Sequence, residues 1–304
     1  MSAPLLDVRD AHVTYRARGG LVTAVRGVTL SVARGERLGL VGESGCGKSS
    51  LARAMLGLER LSGGAITFDG QPVRGAPRAL RRRFQPVFQD AGSALDPRMT
   101  VGASLLEPLE IHGIGTAKDR AVRVDALLDL VQLPRDVQAR LPRALSAGQR
   151  QRVNIARALA LEPELLILDE PVSALDVSVQ AQVLNLLEAI AKARSLALVF
   201  ISHDLDVVAH LCERVAVMYA GLLVELGPTA DVLERPRHPY TEALCAARTR
   251  ALAQAAAGEP PSPTRWPPGC AFHPRCPKAV ERCGKERPAL PSGPHRAACF
   301  VTDP

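Results

Sequence analysis

One segment near the start of the chain has the residues of a phosphate-binding loop. It reads Gly42-Glu43-Ser44-Gly45-Cys46-Gly47-Lys48-Ser49 and is followed by Ser50. Glycines allow successive backbone N–H groups to wrap phosphate oxygens, Lys48 has the reach for the β- and γ-phosphates, and the Ser49 hydroxyl can ligate Mg²⁺. A helix that begins here adds the positive end of its dipole. A plain glycine-rich turn is the alternative interpretation. The predicted nucleotide contacts are Gly42, Ser44, Gly45, Cys46, Gly47, Lys48, Ser49 and Ser50.

A second segment, Leu165-Leu166-Ile167-Leu168-Asp169-Glu170, ends an apolar run with two carboxylates. Such a run is typical of a strand buried on both faces of a parallel sheet, and ligands bind where these strands end. We expect Asp169 to support Mg²⁺ through water and Glu170 to polarise an attacking water molecule. Because phosphoryl transfer depends mostly on positioning and charge neutralisation, one carboxylate on the metal and one on the nucleophile form a sensible pair.

The surrounding pattern predicts the elements that would position these residues. A strand at 36–41 leads into the phosphate loop and a helix at 50–58 leaves it, which is the context that such a loop needs. Another apolar run, at 196–201, predicts a further buried strand. Amphipathic surface helices are predicted at 119–131 and 176–193. Together these elements indicate an α/β core.

The second half of the chain changes character twice. A β-branched run at 213–226 breaks at Ala220-Gly221, which predicts a strand pair at the edge of a sheet. The Ala- and Pro-rich segment 253–269 predicts a linker. Beyond it lies a short tail with four of the seven cysteines: Cys270, Cys276, Cys283 and Cys299.

The cysteines are interpreted as free thiols or metal ligands, because no secretory start is present and a reducing compartment is expected. Four thiolates can hold zinc tetrahedrally or an iron–sulfur cube, and a bound metal could supply the folding energy that so small a tail lacks. We interpret His273 and His295 as bystanders. Cys46 could be a redox-sensing thiol at a helix N-terminus, but we favour a small, tolerated side chain.

Composition narrows the class of protein further. Of 304 residues, 47% are hydrophobic and 23% are charged, which suits a chain with a substantial core. The net charge is +7, yet the only dense basic run, Arg81-Arg82-Arg83, is interpreted as a solvated face, so no nucleic-acid partner is expected. No window has the roughly 18 uncharged apolar residues of a membrane span. We expect a protein made and kept in the cytosol.

Leu145-Ser146-Ala147-Gly148-Gln149 gives these segments a family context. With the loop and the carboxylate strand, it resembles the signature of the ATP-binding cassette (ABC) family. The resemblance implies a P-loop cassette with a RecA-like α/β core, an antiparallel β-subdomain and a helical subdomain at about 90–155. It also implies that the signature of one subunit completes the ATP site of another, through Ser146, Gly148 and Gln149 at the start of a helix at 149–161. Ala147 departs from the family's commonest glycine and raises the question of whether both facing sites are fully active.

Further single residues gain a role from the same resemblance. Gln89 matches the Q-loop residue that contacts Mg²⁺ or the lytic water and senses the membrane partner. His203 matches the switch histidine at the γ-phosphate, and Tyr15 matches the aromatic residue that stacks on adenine. The segment at 173–176 matches the D-loop, with Asp176 also placed to cap the next helix. The implied catalytic set is Glu170, His203 and Gln89.

Three stretches resemble one subfamily more closely: Phe88-Gln89-Asp90 with 95–101, then 170–182, and Arg237-His238-Pro239-Tyr240-Thr241. They are similar to ATPase subunits of bacterial oligopeptide, dipeptide and nickel importers, whose cysteine-rich ending the tail also resembles. This implies peptide import driven by ATP hydrolysis at the cytoplasmic face of the membrane, nickel or another small solute being the alternative cargo. A soluble, non-transport ABC ATPase or an iron–sulfur regulator is the rival function.

The importer resemblance also implies partners, cofactors and boundaries. The partners are a second, related ABC subunit, two transmembrane permease subunits and, indirectly, an extracytoplasmic binding protein. ATP and Mg²⁺ are the implied cofactors, with a [4Fe-4S] cluster favoured over Zn²⁺ on the four tail cysteines. The expected domains are an ATPase domain at 1–252, the linker at 253–269 and the cysteine-rich region at 270–304.

Overall fold

A computed structural model describes residues 3–17, 20–89, 94–248, 259, 261–262 and 264–301. The first half of the described chain contains β1 (Leu6–Ala17), β2 (Gly20–Val32), β3 (Arg37–Val41), α1 (Lys48–Met55), β4 (Gly63–Phe68), β5 (Gln71–Pro72), α2 (Arg78–Arg81), β6 (Phe84–Val87), α3 (Val101–Ile111) and α4 (Ala117–Leu130). The second half contains α5 (Ala147–Leu159), β7 (Leu165–Asp169), α6 (Val177–Arg194), β8 (Ala197–Ser202), α7 (Leu205–Leu211), β9 (Arg214–Tyr219), β10 (Leu222–Pro228), α8 (Thr229–Glu234), α9 (Pro239–Arg248), α10 (Glu281–Lys285) and β11 (Arg296–Ala297).

The chain divides into two units. Unit 1 comprises the described residues of Met1–Ala33, Arg37–Gly75 and Phe200–Pro304, and unit 2 comprises Arg34–Glu36 and Ala76–Val199. Part of the predicted linker, residues 253–258, 260 and 263, lies outside the described residues, as does Asp90 of the predicted Q-loop segment.

Unit 1 contains an antiparallel sheet in the order β2-β1-β4-β5 and a run of strands in the order β11-β10-β9-β3. β3 and β9 are parallel, with Val41 opposite Val217, whereas β9 and β10 form an antiparallel pair. This pair is the predicted hairpin. Its predicted place at the sheet edge is wrong, because β11 from the tail pairs with β10 on its other side.

Unit 2 is built on β6 and β7, which are parallel with Val87 opposite Leu168. Leu165 to Leu168 are all buried, as an unbroken apolar run predicts. Glu164, just before β7, accepts hydrogen bonds from the guanidinium groups of Arg83 and Arg34. Arg83 is half-buried, so the interpretation of 81–83 as a solvated face is wrong at that residue.

Two predicted helices begin earlier than the apolar pattern indicated, each for a local reason. α1 begins at Lys48 because Gly47, in the left-handed conformation, acts as its N-cap. α5 begins at Ala147 because the Ser146 side chain caps it. Apolar periodicity marks the buried face of a helix, whereas capping residues mark its first turn.

Candidate functional site

The phosphate loop joins β3 to α1 in unit 1. Gly47 has a φ of 106°, and a Cβ at this position would lie 2.1 Å from the carbonyl oxygen of Ala24. No other residue fits there without moving the backbone. The first turn of α1 carries no acidic side chain, so the positive end of the helix dipole stays available to an anion.

Lys48 lies inside this loop and is only 5% exposed. Its Nζ donates hydrogen bonds to the carbonyl oxygens of Gly42, at 2.7 Å, and Glu43, at 2.9 Å. The Lys48 ammonium group is thus held inside the turn that the glycine-rich loop forms.

Cys46 has the environment of a packing residue. Its side chain is 6% exposed, and burial raises the pKa of the thiol although Lys48 acts in the opposite direction. A reactive thiol needs a lowered pKa and access to solvent. The environment therefore favours the interpretation of Cys46 as a small, tolerated side chain.

Unit 2 brings Gln89 and Glu170 together. The parallel register of β6 and β7 ends both strands at the same edge, and the Gln89 side-chain amide donates to Glu170 Oε2 at 3.2 Å. Glu170 has a φ of 47°, an uncommon conformation for a residue with a Cβ. Its carbonyl oxygen accepts a hydrogen bond from Ser173 Oγ at 3.1 Å. A strained backbone conformation persists only where the surrounding contacts fix the residue, and residues of this kind cluster at functional sites.

The signature segment forms the N-terminus of α5. Ser146 and Gln149 make a reciprocal capping box, in which each side chain accepts a hydrogen bond from the backbone N–H of the other. Gly148 is buried, and a Cβ there would lie 2.4 Å from Val179 Cγ1. Ala147 is exposed in the first helical turn, where a methyl group is compatible with the backbone.

Asp176, the last residue of the predicted D-loop, caps α6 as predicted. Its carboxylate accepts hydrogen bonds from the Val179 backbone N–H at 2.9 Å and from Ser178 Oγ at 2.8 Å. These bonds stabilise the ionised form and lower the pKa of Asp176. The cap fixes the start of the helix whose Val179 packs against Gly148.

The two remaining predicted contacts lie in unit 1. His203 is exposed and directly follows β8, ahead of the Asp204 side chain that caps α7. Tyr15 lies half-buried on β1, and burial raises the pKa of its phenol while an interaction with Ser50 lowers it. Tyr15 therefore lies beside the first turn of α1.

Sequence reasoning missed a set of polar contacts behind the phosphate loop. The Arg275 guanidinium binds both carboxylate oxygens of Glu43, at 3.0 and 3.1 Å. The Tyr240 hydroxyl accepts a hydrogen bond from the Glu43 backbone N–H at 2.8 Å. Tyr240 belongs to the stretch at 237–241, whose composition served only as a family marker. Nothing in its spacing indicates this contact.

A buried carboxylate on a neighbouring strand anchors the backbone of the stretch at 237–241. Glu225 on β10 is 0% exposed and accepts the backbone N–H groups of Arg237 and His238, each at 2.8 Å. It also bonds His295 Nε2 at 2.7 Å. His238 is buried and accepts the Tyr240 N–H at its Nδ1, and burial lowers its pKa to about 4, so the ring is neutral. His295 is thus engaged with Glu225, apart from the tail cysteines.

The four tail cysteines line one narrow cavity in unit 1 and all have free thiols. The Cys270 N–H donates to the Cys283 carbonyl oxygen at 2.8 Å, and burial raises the pKa values of Cys270 and Cys276. Within the described ranges, no three His, Cys, Asp or Glu side chains are placed to hold a single metal ion. The tail thus gathers the thiols without forming a closed mononuclear site.

Comparisons with known proteins show the family to which this chain belongs. Residues 25–173 match the ABC transporter family, and residues 224–283 match the C-terminal region of oligopeptide/dipeptide transporters. A provisionally named peptide import ATP-binding protein of Brucella ovis is 45% identical over 297 residues, which is 94% of each chain. One of Brucella abortus is 47% identical over 306 residues, covering 97% of this chain and 92% of the relative.

Solved structures show the same fold. The ATP-binding cassette MJ0796, in a dimeric post-hydrolysis state bound to ADP and Pi, has a TM-score of 0.66 at 25% identity and covers 74% of this chain and 98% of its own. CbiO1 from Clostridium perfringens, part of the ABC transporter complex cbiONQ, has a TM-score of 0.67 at 27% identity and covers 83% of this chain and 99% of its own.

The fold and the phosphate loop define a P-loop nucleoside triphosphatase. More narrowly, the chain belongs to the ABC transporter family of ATPases and carries the C-terminal region of its oligopeptide/dipeptide transporters. The predicted cassette fold is confirmed. No described helix combines the length and apolar character that a bilayer crossing requires.

Proposed function

We propose that this chain is the ATP-hydrolysing subunit of a peptide importer and drives separate transmembrane permease subunits from the cytoplasmic face of the membrane. The match at 224–283 and the names of the Brucella relatives support peptides over nickel or another small solute. The observation that carries the enzymatic part is the Gln89–Glu170 hydrogen bond at the end of parallel strands β6 and β7.

In this proposal, one set of residues binds the nucleotide and another catalyses its hydrolysis. Lys48 and the loop N–H groups bind the β- and γ-phosphates, and Tyr15 stacks on adenine. Glu170 polarises the attacking water and accepts its proton, while Gln89 orients the Glu170 carboxylate. His203 donates a hydrogen bond to the γ-phosphate as charge develops there. The complete nucleotide-contact set proposed is Tyr15, Gly42, Ser44, Gly45, Cys46, Gly47, Lys48, Ser49, Ser50, Gln89, Asp169, Ser146, Gly148 and Gln149.

The proposed Mg²⁺ ligands fit that ion by their chemistry. Ser49, Gln89 and Asp169 offer hydroxyl, amide and carboxylate oxygens, which are the hard donors that Mg²⁺ prefers. Asp169 is the last residue of β7, and Gln89 lies two residues beyond the end of the parallel strand β6, in unit 2. Mg²⁺, when bound, neutralises charge on the phosphates.

Two subunits are needed because the signature acts on a partner's nucleotide. Ser146 and Gly148 offer a hydroxyl and a backbone N–H at the N-terminus of α5, which suits the γ-phosphate of a facing subunit. The dimeric state of MJ0796 supports this pairing. We propose a related ABC subunit as the partner, with Gln149 holding Ser146 in place. Because Ala147 is exposed in a helical turn, the site that it helps to complete is proposed to be active.

The four tail cysteines are proposed to hold a [4Fe-4S] cluster. Four free thiols around one cavity fit this group in number and in sulfur chemistry. Zn²⁺, which four thiolates hold tetrahedrally, is the alternative metal for the same cysteines. The proposed boundaries are 1–252 for the ATPase domain with a helical subdomain at about 90–155, 253–269 for the linker and 270–304 for the cysteine-rich region.

Purification of the chain with its membrane subunits tests the transport function. We expect two permeases and a second ABC subunit to co-purify, and the complex in proteoliposomes to hydrolyse ATP faster with binding protein and peptide present. Lys48→Ala should abolish this activity. Stimulation by nickel and not by peptide would support the alternative cargo, and lack of any membrane partner would support a soluble ATPase. Iron and zinc analysis of the anaerobically purified chain tests the cluster.

A further inference from the structure

Glu43, the second residue of the phosphate loop, is held at three separate groups: its backbone N–H, its carbonyl oxygen and its carboxylate. Lys48 donates to its carbonyl oxygen, Tyr240 accepts its backbone N–H, and Arg275 binds its carboxylate through two hydrogen bonds. The Arg275 side chain is 8% exposed, and Glu43 is 25% exposed. A bidentate guanidinium–carboxylate pair with so little solvent contact fixes position as well as charge.

Arg275 is itself fixed from several sides. Its Nη1 donates to the Tyr219 hydroxyl at 3.2 Å, and its guanidinium lies 5.8 Å from the ring centres of both Tyr219 and Phe272. Phe272 is 1% exposed and packs on Tyr219 and Tyr240, with ring centres 5.3 and 5.5 Å apart. Although burial acts against its charge, the bonds to Glu43 and Tyr219 raise the pKa of Arg275, so its guanidinium stays charged.

The sheet register explains why these groups meet. β3 and β9 are parallel with Val41 opposite Val217, so Glu43 and Tyr219 each follow two residues later at the same edge. The tail adds Arg275 to this edge on a short 3₁₀ turn, His273–Arg275, which ends at Cys276. The cysteine-rich region therefore contacts the phosphate loop directly.

We propose that Arg275 is a positioning residue for ATP binding: the tail holds the phosphate loop in its binding conformation through the Arg275–Glu43 pair. When phosphates enter, the Lys48 ammonium must leave the carbonyl oxygens of Gly42 and Glu43. Tyr240 and Arg275 then keep Glu43 in place, so the loop does not have to be reordered during binding. Arg275 also neutralises a carboxylate that otherwise repels the triphosphate.

A second consequence rests on the proposed cluster. Cys276 is the next residue after Arg275 and one of the four proposed cluster ligands, so a bound cluster would fix the turn that carries Arg275. Loss of the cluster is then expected to weaken ATP binding through the same contact.

Variants of the full-length chain test the role of Arg275. We expect Arg275→Gln to raise the KM and the Kd for Mg-ATP about tenfold, which is ~1.4 kcal/mol, and to leave kcat within about twofold, because Glu170 is untouched. Arg275→Lys, which keeps the charge but loses the bidentate geometry, should lie between wild type and Arg275→Gln. Glu43→Gln combined with Arg275→Gln should recover part of the affinity, because no unpaired carboxylate remains.

Lys278→Gln is the matched control. Lys278 also ties the tail to α9, through both carboxylate oxygens of Glu242 at 2.7 Å, and it has no hydrogen bond or ion pair with the described residues of the phosphate loop. Its KM should equal that of wild type. An unchanged KM in Arg275→Gln, a fall in kcat alone, or an equal change in Lys278→Gln would overturn the positioning role. If Arg275→Gln fails to fold, Arg275→Lys decides the question, because it keeps both charges and loses only the bidentate geometry: its KM should rise with kcat within about twofold, and an unchanged KM would overturn the positioning role.

Cys276→Ser separates the two proposals. If wild type contains iron and Cys276→Ser loses it, the KM should rise in that variant and should not rise further when Arg275→Gln is added. An additive rise would refute the coupling. If wild type contains no iron, the cluster proposal fails while the Arg275 results still decide the positioning role.

Discussion

Substitution of Gly148 by alanine introduces a clash whose size is set by the packing of α5 on α6. The added Cβ would lie 2.4 Å from Val179 Cγ1, whereas ordinary carbon contacts are about 3.5–4.0 Å. Either the helices separate or Val179 changes its rotamer. Overpacking of this kind costs about 1–3 kcal/mol. The backbone N–H at 148 is kept, so any effect on the signature arises from the position of the helix.

A second substitution removes the clashing atom. In Val179→Ala the next atom met by the added Cβ is the Cβ of residue 179, at 3.7 Å, which is a normal contact. Val179 is half-buried, so its own truncation should cost about 1 kcal/mol. The double variant should therefore lose less free energy of unfolding than the two single variants lose together, by about 1–2 kcal/mol. Ala147→Gly, at the exposed neighbouring position, is the control and should cost less than about 1 kcal/mol.

Urea unfolding followed by circular dichroism measures these differences. ATP-dependent dimerisation, followed by size-exclusion chromatography, should weaken in Gly148→Ala and recover in the double variant. If Gly148→Ala is as stable as wild type, or if Val179→Ala gives no recovery, the steric role of Gly148 is wrong. If stability recovers but dimerisation does not, the methyl group itself obstructs the partner.

Two further predictions concern buried side chains of unit 1. The pKa of His238 is lowered from 6.5 to about 4, so between these pH values the unfolded chain binds a proton that the folded chain does not. The contribution of His238 to the free energy of unfolding should therefore be complete above pH 6.5. Below that pH the free energy of unfolding should fall by ~1.4 kcal/mol per pH unit towards pH 4. His238→Gln should flatten this dependence in thermal unfolding between pH 7 and pH 5, and an unchanged slope would exclude His238 as its source. Cys46 should react with iodoacetamide more slowly than the half-exposed Cys245, as measured by peptide mass spectrometry, because it is buried and its pKa is raised; faster labelling of Cys46 would restore the redox-thiol interpretation.

The parts of the fold that follow from local pattern were predictable. Unbroken apolar runs marked β7 and β8, and the loop sequence marked the turn into α1. The start of α5 was missed because it depends on a reciprocal cap between Ser146 and Gln149. The addition of β11 to β10 was missed because the pairing joins Glu225 to Ala297, which are far apart in sequence. Register between distant segments leaves no periodic signal.

The candidate site was also only partly predictable from the sequence. Residues of a linear motif, such as Lys48, could be proposed as site residues from their spacing alone. The Glu43–Arg275 pair was not, because its members are separated by most of the chain and arginine and glutamate are common surface residues. Only the parallel register of β3 with β9, and the tail packed at its end, place them together.

Glu170→Gln tests the proposed chemistry most directly. The substitution keeps the size of the side chain and a partner for Gln89, but it removes the carboxylate that we propose polarises the attacking water. We expect the variant to bind Mg-ATP as wild type does and to form a stable ATP-dependent dimer, while kcat falls about 10²–10⁴-fold. Hydrolysis at the wild-type rate in a folded, ATP-binding Glu170→Gln variant would contradict the assignment of Glu170.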